Sequence, residues 1–143
     1  MTKTLTAFLS QNAKKVDNVT YVASNRFVDP ETNKSVPWEI CCITAAENVA
    51  LRKSCMHMIQ VPGKKRQFTQ DFDANAYLAK VAVRCTVFPN LNDAELQKSY
   101  GVMGAEQLIT TMLTPAEFED YSTKVLQANG FQSTDEMIEE AKN

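Results

Sequence analysis

The chain has 143 residues, 44% of them hydrophobic and 22% charged, with a net charge of −2 and a pI of about 5.4. That is the size and balance of one globular domain, of a class that buries roughly 68–70% of its unfolded surface. The balance argues against nucleic-acid binding through a general basic excess, and no apolar run approaches the roughly 20 residues that a membrane-spanning helix needs.

The opening MTKTLTAFLSQNAKK holds a short helical patch, with Leu5, Phe8 and Leu9 on one face. Ser10, Gln11 and Asn12 break it, which is not the pattern of a secretory signal, so a cytoplasmic location is expected. VTYVASNRF then alternates, with Val19, Tyr21, Ala23 and Phe27 on one side and Thr20, Ser24 and Arg26 on the other. Asp29 to Ser35 has the composition of a turn, and VPWEICCIT alternates again through Val36, Trp38, Ile40 and Cys42. Two such runs around a polar turn predict a β-hairpin.

The period then changes. Thr44 and Glu47 form a capping box ahead of a helical stretch whose Leu51, Cys55 and Met58 share a face, until Pro62-Gly63 stops it. KKRQFTQDF reads as a further strand or half of a second small hairpin. Asp73 is the expected N-cap of the core helix, whose stripe runs Tyr77, Leu78, Val81, Cys85 and Phe88, and Phe88-Pro89 ends it.

Beyond Pro89 the pattern is punctuated helix. Asn92 with Glu95 starts one segment, which Gly101 ends as a left-handed cap. Gly104 opens the next, with Leu108, Ile109, Met112 and Leu113 on its apolar face. Thr114-Pro115-Ala116-Glu117 starts a third, with Phe118, Tyr121, Val125 and Leu126 inward and Asn129-Gly130 closing it. Ser133 with Glu136 opens a last helix, with Met137, Ile138 and Ala141 facing in. The expected fold is α+β over a single domain, 1–143: a small N-terminal antiparallel β-hairpin or sheet followed by a mainly helical C-terminal half.

Chemistry-bearing residues are sparse. His57 is the one histidine, the four cysteines include no CxxC, and a metal site needs three or four suitably spaced ligands. No GxSxG elbow, P-loop or GxGxxG turn occurs. Carboxylate pairs such as Glu117 with Asp120 sit on expected exposed faces, where acidic residues serve the helix dipole. No catalytic residue, metal or cofactor is therefore expected. The basic run Lys64-Lys65-Arg66 follows Pro62-Gly63 and reads as a solvated loop tip. Met103, between two glycines, is less readily assigned to the core than Met112 or Met137.

PNLNDAELQKSYGVMGAEQLITTML, Pro89 to Leu113, resembles the hallmark segment of the XkdN-like family of tail assembly chaperones, found in long-tailed bacteriophages and prophage elements. LTAFLSQNAKKV, RFVD with VPWEICCIT, AENVALRKSC, AYLAKVAVRCTVFPNLNDAEL and the terminal VLQANGF with DEMIEEAKN resemble further parts of that family in the same order. ELQKSYGVMGAEQL and VPWEI are the most specific pieces. The resemblance implies a non-enzymatic protein of the bacterial host cytoplasm that acts during tail building and is absent from the finished particle. Its implied client is the tape measure protein, a long helical polypeptide kept soluble until tube subunits assemble around it. A frameshifted longer form would contact tail tube protein, and homo-oligomers are compatible with the reading. Tyr100, Met103, Leu108 and Met112 are the candidate partner-binding residues; the alternative is that all four pack inward. Competing functional readings are a structural tail component of the tail-terminator or connector type, a nucleic-acid-binding regulator and a thiol enzyme. Gly104 to Leu113, where a recognition helix would lie, carries no basic residue.

Overall fold

A computed structural model describes residues 3–131; the helix expected from Ser133, with Met137, Ile138 and Ala141, lies outside the described residues. The order is β1 (Val19–Tyr21), β2 (Trp38–Ile40), α1 (Ala45–Ser54), β3 (Met56–Gln60), β4 (Phe68–Phe72), α2 (Ala74–Cys85), β5 (Thr86–Phe88), α3 (Ala94–Ser99), α4 (Ala105–Met112) and α5 (Pro115–Ala128). The fold is α+β, with the strands in the first part of the chain and helices dominating the rest.

The hairpin expected at the N-terminus is present. β1 pairs antiparallel with β2, Tyr21 opposite Trp38 and Val19 opposite Ile40. Its connection is held by Asp29 N–H on the Lys34 carbonyl at 2.9 Å and Val36 N–H on the Phe27 carbonyl at 2.8 Å. Trp38 and Ile40 point into the core while Glu39 faces the other way, as period 2 requires. The LTAFL patch forms only a short 3-10 turn, Thr6–Phe8, and Leu5, Phe8 and Leu9 stay exposed.

Two helical stripes end sooner than their spacing predicts. α1 stops at Ser54, and Met56–Gln60 runs as strand β3 against β4. α2 stops at Cys85, and Thr86–Phe88 becomes β5, which adds to β2 to complete the sheet in the order β1-β2-β5. In both places the apolar spacing continues by threes and fours, but the backbone finds its hydrogen-bond partners on another strand. Phe88 thus lies exposed on the sheet rather than on the inner face of α2. The start of α3 also shifts by one residue: Asp93, not Asn92, is the N-cap, accepting from Leu96 N–H at 2.9 Å.

The other caps stand where composition put them. Thr44–Glu47 and Thr114–Glu117 form reciprocal capping boxes, and Asp73 accepts from Ala76 N–H. α2 is the central helix, packed against α1, α4 and α5. It buries Tyr77, Val81 and Cys85 against Leu108, Ile109 and Met112 of α4 and Tyr121, Val125 and Leu126 of α5. The sheet docks through aromatic contacts: Trp38 meets Tyr121 edge-on at 5.0 Å, and Phe27 lies 6.2 Å from Trp38. Tyr121 also satisfies its hydroxyl. Thr86 Oγ1 donates to the Ala82 carbonyl at 2.6 Å, leaving the Tyr121 hydroxyl to donate to Thr86 Oγ1 at 2.6 Å.

Arg26 ties the long β1–β2 connection to the helical half. Its Nη2 donates to the Met112 carbonyl at 2.6 Å and to Glu117 Oε1 at 2.8 Å. The hydrogen bond from Arg26, helped by Ser24 and by the Thr114 backbone, holds the Glu117 carboxyl down at about 2. A carboxylate with a folded pKa below its unfolded value of about 4.3 contributes stability that is complete above that value. The contribution is lost as pH falls through about 2. Glu117→Gln keeps an acceptor for Thr114 N–H, so the variant is expected to show a shallower loss of stability over this acid window. Urea denaturation at a series of pH values checks it, and parallel wild-type and variant curves would contradict the assignment.

Candidate partner-binding surface

Among the exposed apolar side chains, two groups stand on well-fixed elements of the fold. The first is the connection between α3 and α4. α3 ends in a Schellman arrangement: Gly101 N–H donates to the Lys98 carbonyl at 3.0 Å and Val102 N–H to the Gln97 carbonyl at 3.1 Å, with Gly101 at φ +67°. Val102 turns inward and Met103 outward. The Gln97 side chain links the segment before α3 to the start of α4, donating from Nε2 to the Leu91 carbonyl (2.9 Å) and accepting from Gly104 N–H on Oε1 (3.0 Å). Gly104 holds φ +102°, ψ +147° as the N-cap of α4, a conformation nearly reserved for glycine. A Cβ there would meet no atom within 4 Å, so the cost of a side chain is backbone strain alone. Gly104→Ala is expected to destabilise by about 1–3 kcal/mol, measurable as a lower denaturation midpoint; an unchanged midpoint would show that the turn relaxes freely.

This geometry separates the four residues expected to form a partner surface. Met103 is 87% exposed and Tyr100 37%, whereas Leu108 is fully buried and Met112 is 4% exposed. Leu108 and Met112 sit on the α4 face that packs into the core. Of the four, Tyr100 and Met103 are thus exposed, and Leu108 and Met112 belong to the core.

The second feature is the β3–β4 hairpin. Its five pairs run from Met56–Phe72 at the root to Gln60–Phe68 at the far end. The root is anchored by Asp73 N–H on the Cys55 carbonyl at 2.9 Å and by Phe72 lying 5.4 Å from the Tyr77 ring. Beyond the root both faces are exposed. One face is mixed: His57 meets Asp71 at 3.3 Å, and the exposed Ile59 lies opposite Thr69. The other carries Met58 and Phe68, 58% and 60% exposed, as diagonal neighbours above Met56 and Phe72. The tip is closed by Val61 N–H on the Gln67 carbonyl at 2.8 Å and presents Lys64, Lys65 and Arg66 to solvent. Reading Met58 into the stripe of α1 hid this face; Met56 and Met58 two apart, and Phe68 and Phe72 four apart, are compatible with period 2 and are the only local signal of it.

The chemistry-bearing residues are dispersed. Cys55 and Cys85 are buried and Cys41 and Cys42 half-buried. Burial pushes the Cys85 thiol up to about 12, against a weaker opposing hydrogen bond from Asn129. His57 stands on strand β3, on the hairpin face that also carries Asp71. Among the described residues no group of three or more His, Cys, Asp or Glu is placed to hold a metal ion. A cleft of about 260 Å³ lies between Ile43, Thr44, Asn48, Val81, Asn129 and Phe131. Its polar groups are occupied internally: Asn129 accepts from Ile43 N–H at 3.0 Å, Asn48 accepts from the Tyr77 hydroxyl, and Thr44 caps α1.

Residues 5–142 match the family described as Phage XkdN-like tail assembly chaperone protein. The chain is 29% identical over 138 residues to the protein YqbN of Bacillus subtilis (strain 168), covering 96% of this chain and 91% of the relative. It is 25% identical over 141 residues to the phage-like element PBSX protein XkdN of the same organism, covering 97% and 93% of the two chains. The crystal structure of the protein YqbN superposes with a TM-score of 0.75 at 23% identity, over 92% of this chain and 99% of that one, and shows the same fold. The chain belongs to the XkdN-like family of phage tail assembly chaperone proteins.

Proposed function

We propose that the protein binds the tape measure protein, a long helical polypeptide, and keeps it soluble in the host cytoplasm until tail tube subunits assemble around it. It makes and breaks no covalent bond itself and leaves before the particle is complete. A frameshifted longer form recruits tail tube protein. The observation that supports this most is the family match over residues 5–142. It is joined by large apolar side chains displayed on well-fixed elements: Met103 on a turn tied by Gln97, and Met58 and Phe68 on a paired hairpin. Methionine and phenylalanine make adaptable contacts with amphipathic helices, which suits a client presenting many similar segments. Tyr100 and Met103 touch the client, while Leu108 and Met112 keep their turn in place.

The test follows the protein through tail production. It is expected in the infected or induced lysate, co-purifying with the tape measure protein, and absent from purified particles by mass spectrometry. Stoichiometric presence in purified particles would instead make it a structural tail component.

A further inference from the structure

We propose that the β3–β4 hairpin is a binding arm for an amphipathic helix whose apolar stripe is bordered by carboxylates. The inference rests on the reading of the protein as a chaperone for a helical client and assigns that client's contact surface and charge.

The arm has the form of a surface built to be covered. A two-stranded ribbon is marginal in water by itself, yet this one carries Met58 and Phe68 outward from its root instead of burying them. Its two faces differ: Met58 and Phe68 stand with Gln60 and Gln70 on one, and the His57–Asp71 pair stands with Ile59 and Thr69 on the other. Five residues of strand span roughly 17 Å, about three turns of a helix laid along it. The helix would set residues spaced i, i+3 or i+4, and i+7 over Phe72, Met58 and Phe68.

Charge selects the occupant. Lys64, Lys65 and Arg66 crowd the tip, and no ion pair among the described residues engages them. A carboxylate at the end of the docked helix would find three cations there. The chain's own exposed apolar segment, with Leu5, Phe8 and Val16, carries Lys14 and Lys15. Those lysines have the same sign as the tip, so a second copy's N-terminal segment does not complement it.

The experiment uses the full chain, the double variant M58S/F68S and the triple variant K64E/K65E/R66E. Circular dichroism first establishes that each is folded; all five positions are exposed, so intact folds are expected. The probes are a designed helical peptide with a Leu stripe bordered by Glu, the same peptide with Lys for Glu, and a proline-interrupted copy that cannot form a helix. Wild type is expected to bind the Glu peptide at least tenfold more tightly than either other probe. M58S/F68S should weaken that binding at least tenfold, and the triple variant should reverse the preference towards the Lys peptide.

Several outcomes would overturn the arm. They are equal binding by all three proteins, no binding of the Glu peptide by wild type, or equal binding of the proline-interrupted copy. A loss of self-association in the variants by sedimentation, with peptide affinity unchanged, would assign the face to a second copy and overturn it as well. Co-purification with the tape measure protein separates the two levels of inference. Failure by wild type removes the functional reading while the peptides still decide the arm. Undiminished co-purification by M58S/F68S with intact wild-type binding removes the arm alone.

Discussion

Trp38→Ala is expected to destabilise the fold by about 3–5 kcal/mol, the usual cost of emptying a large buried aromatic site. Trp38 is 2% exposed and central to the joint between sheet and helices, edge-on to Tyr121 at 5.0 Å and 6.2 Å from Phe27. Its loss removes the apolar contact and leaves a void that the flanking rings fill only in part. Since a domain of this kind has about 5–15 kcal/mol in total, the variant should be visibly unfolded at modest urea. The chain has one tryptophan, so the transition is followed by circular dichroism and not by intrinsic fluorescence. A midpoint lowered at constant slope confirms the role. A shift worth under about 1 kcal/mol would show that the sheet is dispensable to the core.

The second large effect separates two residues five positions apart, Met103 and Leu108. Leu108→Ala is expected to cost about 2–5 kcal/mol, because its side chain is fully enclosed between α4 and α2. Met103→Ser is expected to stay within about 0.5 kcal/mol, because Met103 is 87% exposed. Client binding should reverse the ranking: Met103→Ser weakens it with the fold intact, and Leu108→Ala acts only through lost stability. Thermal denaturation and client pull-down on the same preparations check both halves. Similar stability losses for the two variants would contradict the division of this segment into a core half and a surface half.

Much of the helical frame was legible in the sequence because caps are local. Thr44 with Glu47, Asp73, and Thr114 with Glu117 specify helix starts through contacts made within one turn. Strand partners are less local: the β1–β2 hairpin and the strand in KKRQFTQDF were legible, but the strands that continue a helical stripe were not. Leu51, Cys55 and Met58 keep a helical spacing, as do Val81, Cys85 and Phe88, yet Met58 and Phe88 end in strands. Their fate was decided by β4 and β2, which lie far from them in sequence or across a turn. The surface was harder still. Met103 and Met112 have the same chemistry, and only the inward turn of α4 after Gly104 makes one of them solvent-exposed and the other core. Likewise, Lys64, Lys65 and Arg66 read as a solvated tip, but their place at the end of an apolar face needed the register of Met56–Gln60 against Phe68–Phe72.

The most direct test of the account is the solubility of the tape measure protein of the same phage, expressed with and without this chain. The tape measure protein is expected to sediment as aggregate when expressed by itself. Co-expression with wild type should move it to the soluble fraction, where the two elute together in size-exclusion chromatography. A tape measure protein equally soluble without its partner, or one that stays aggregated and shows no co-elution with the folded chain, would contradict the central claim.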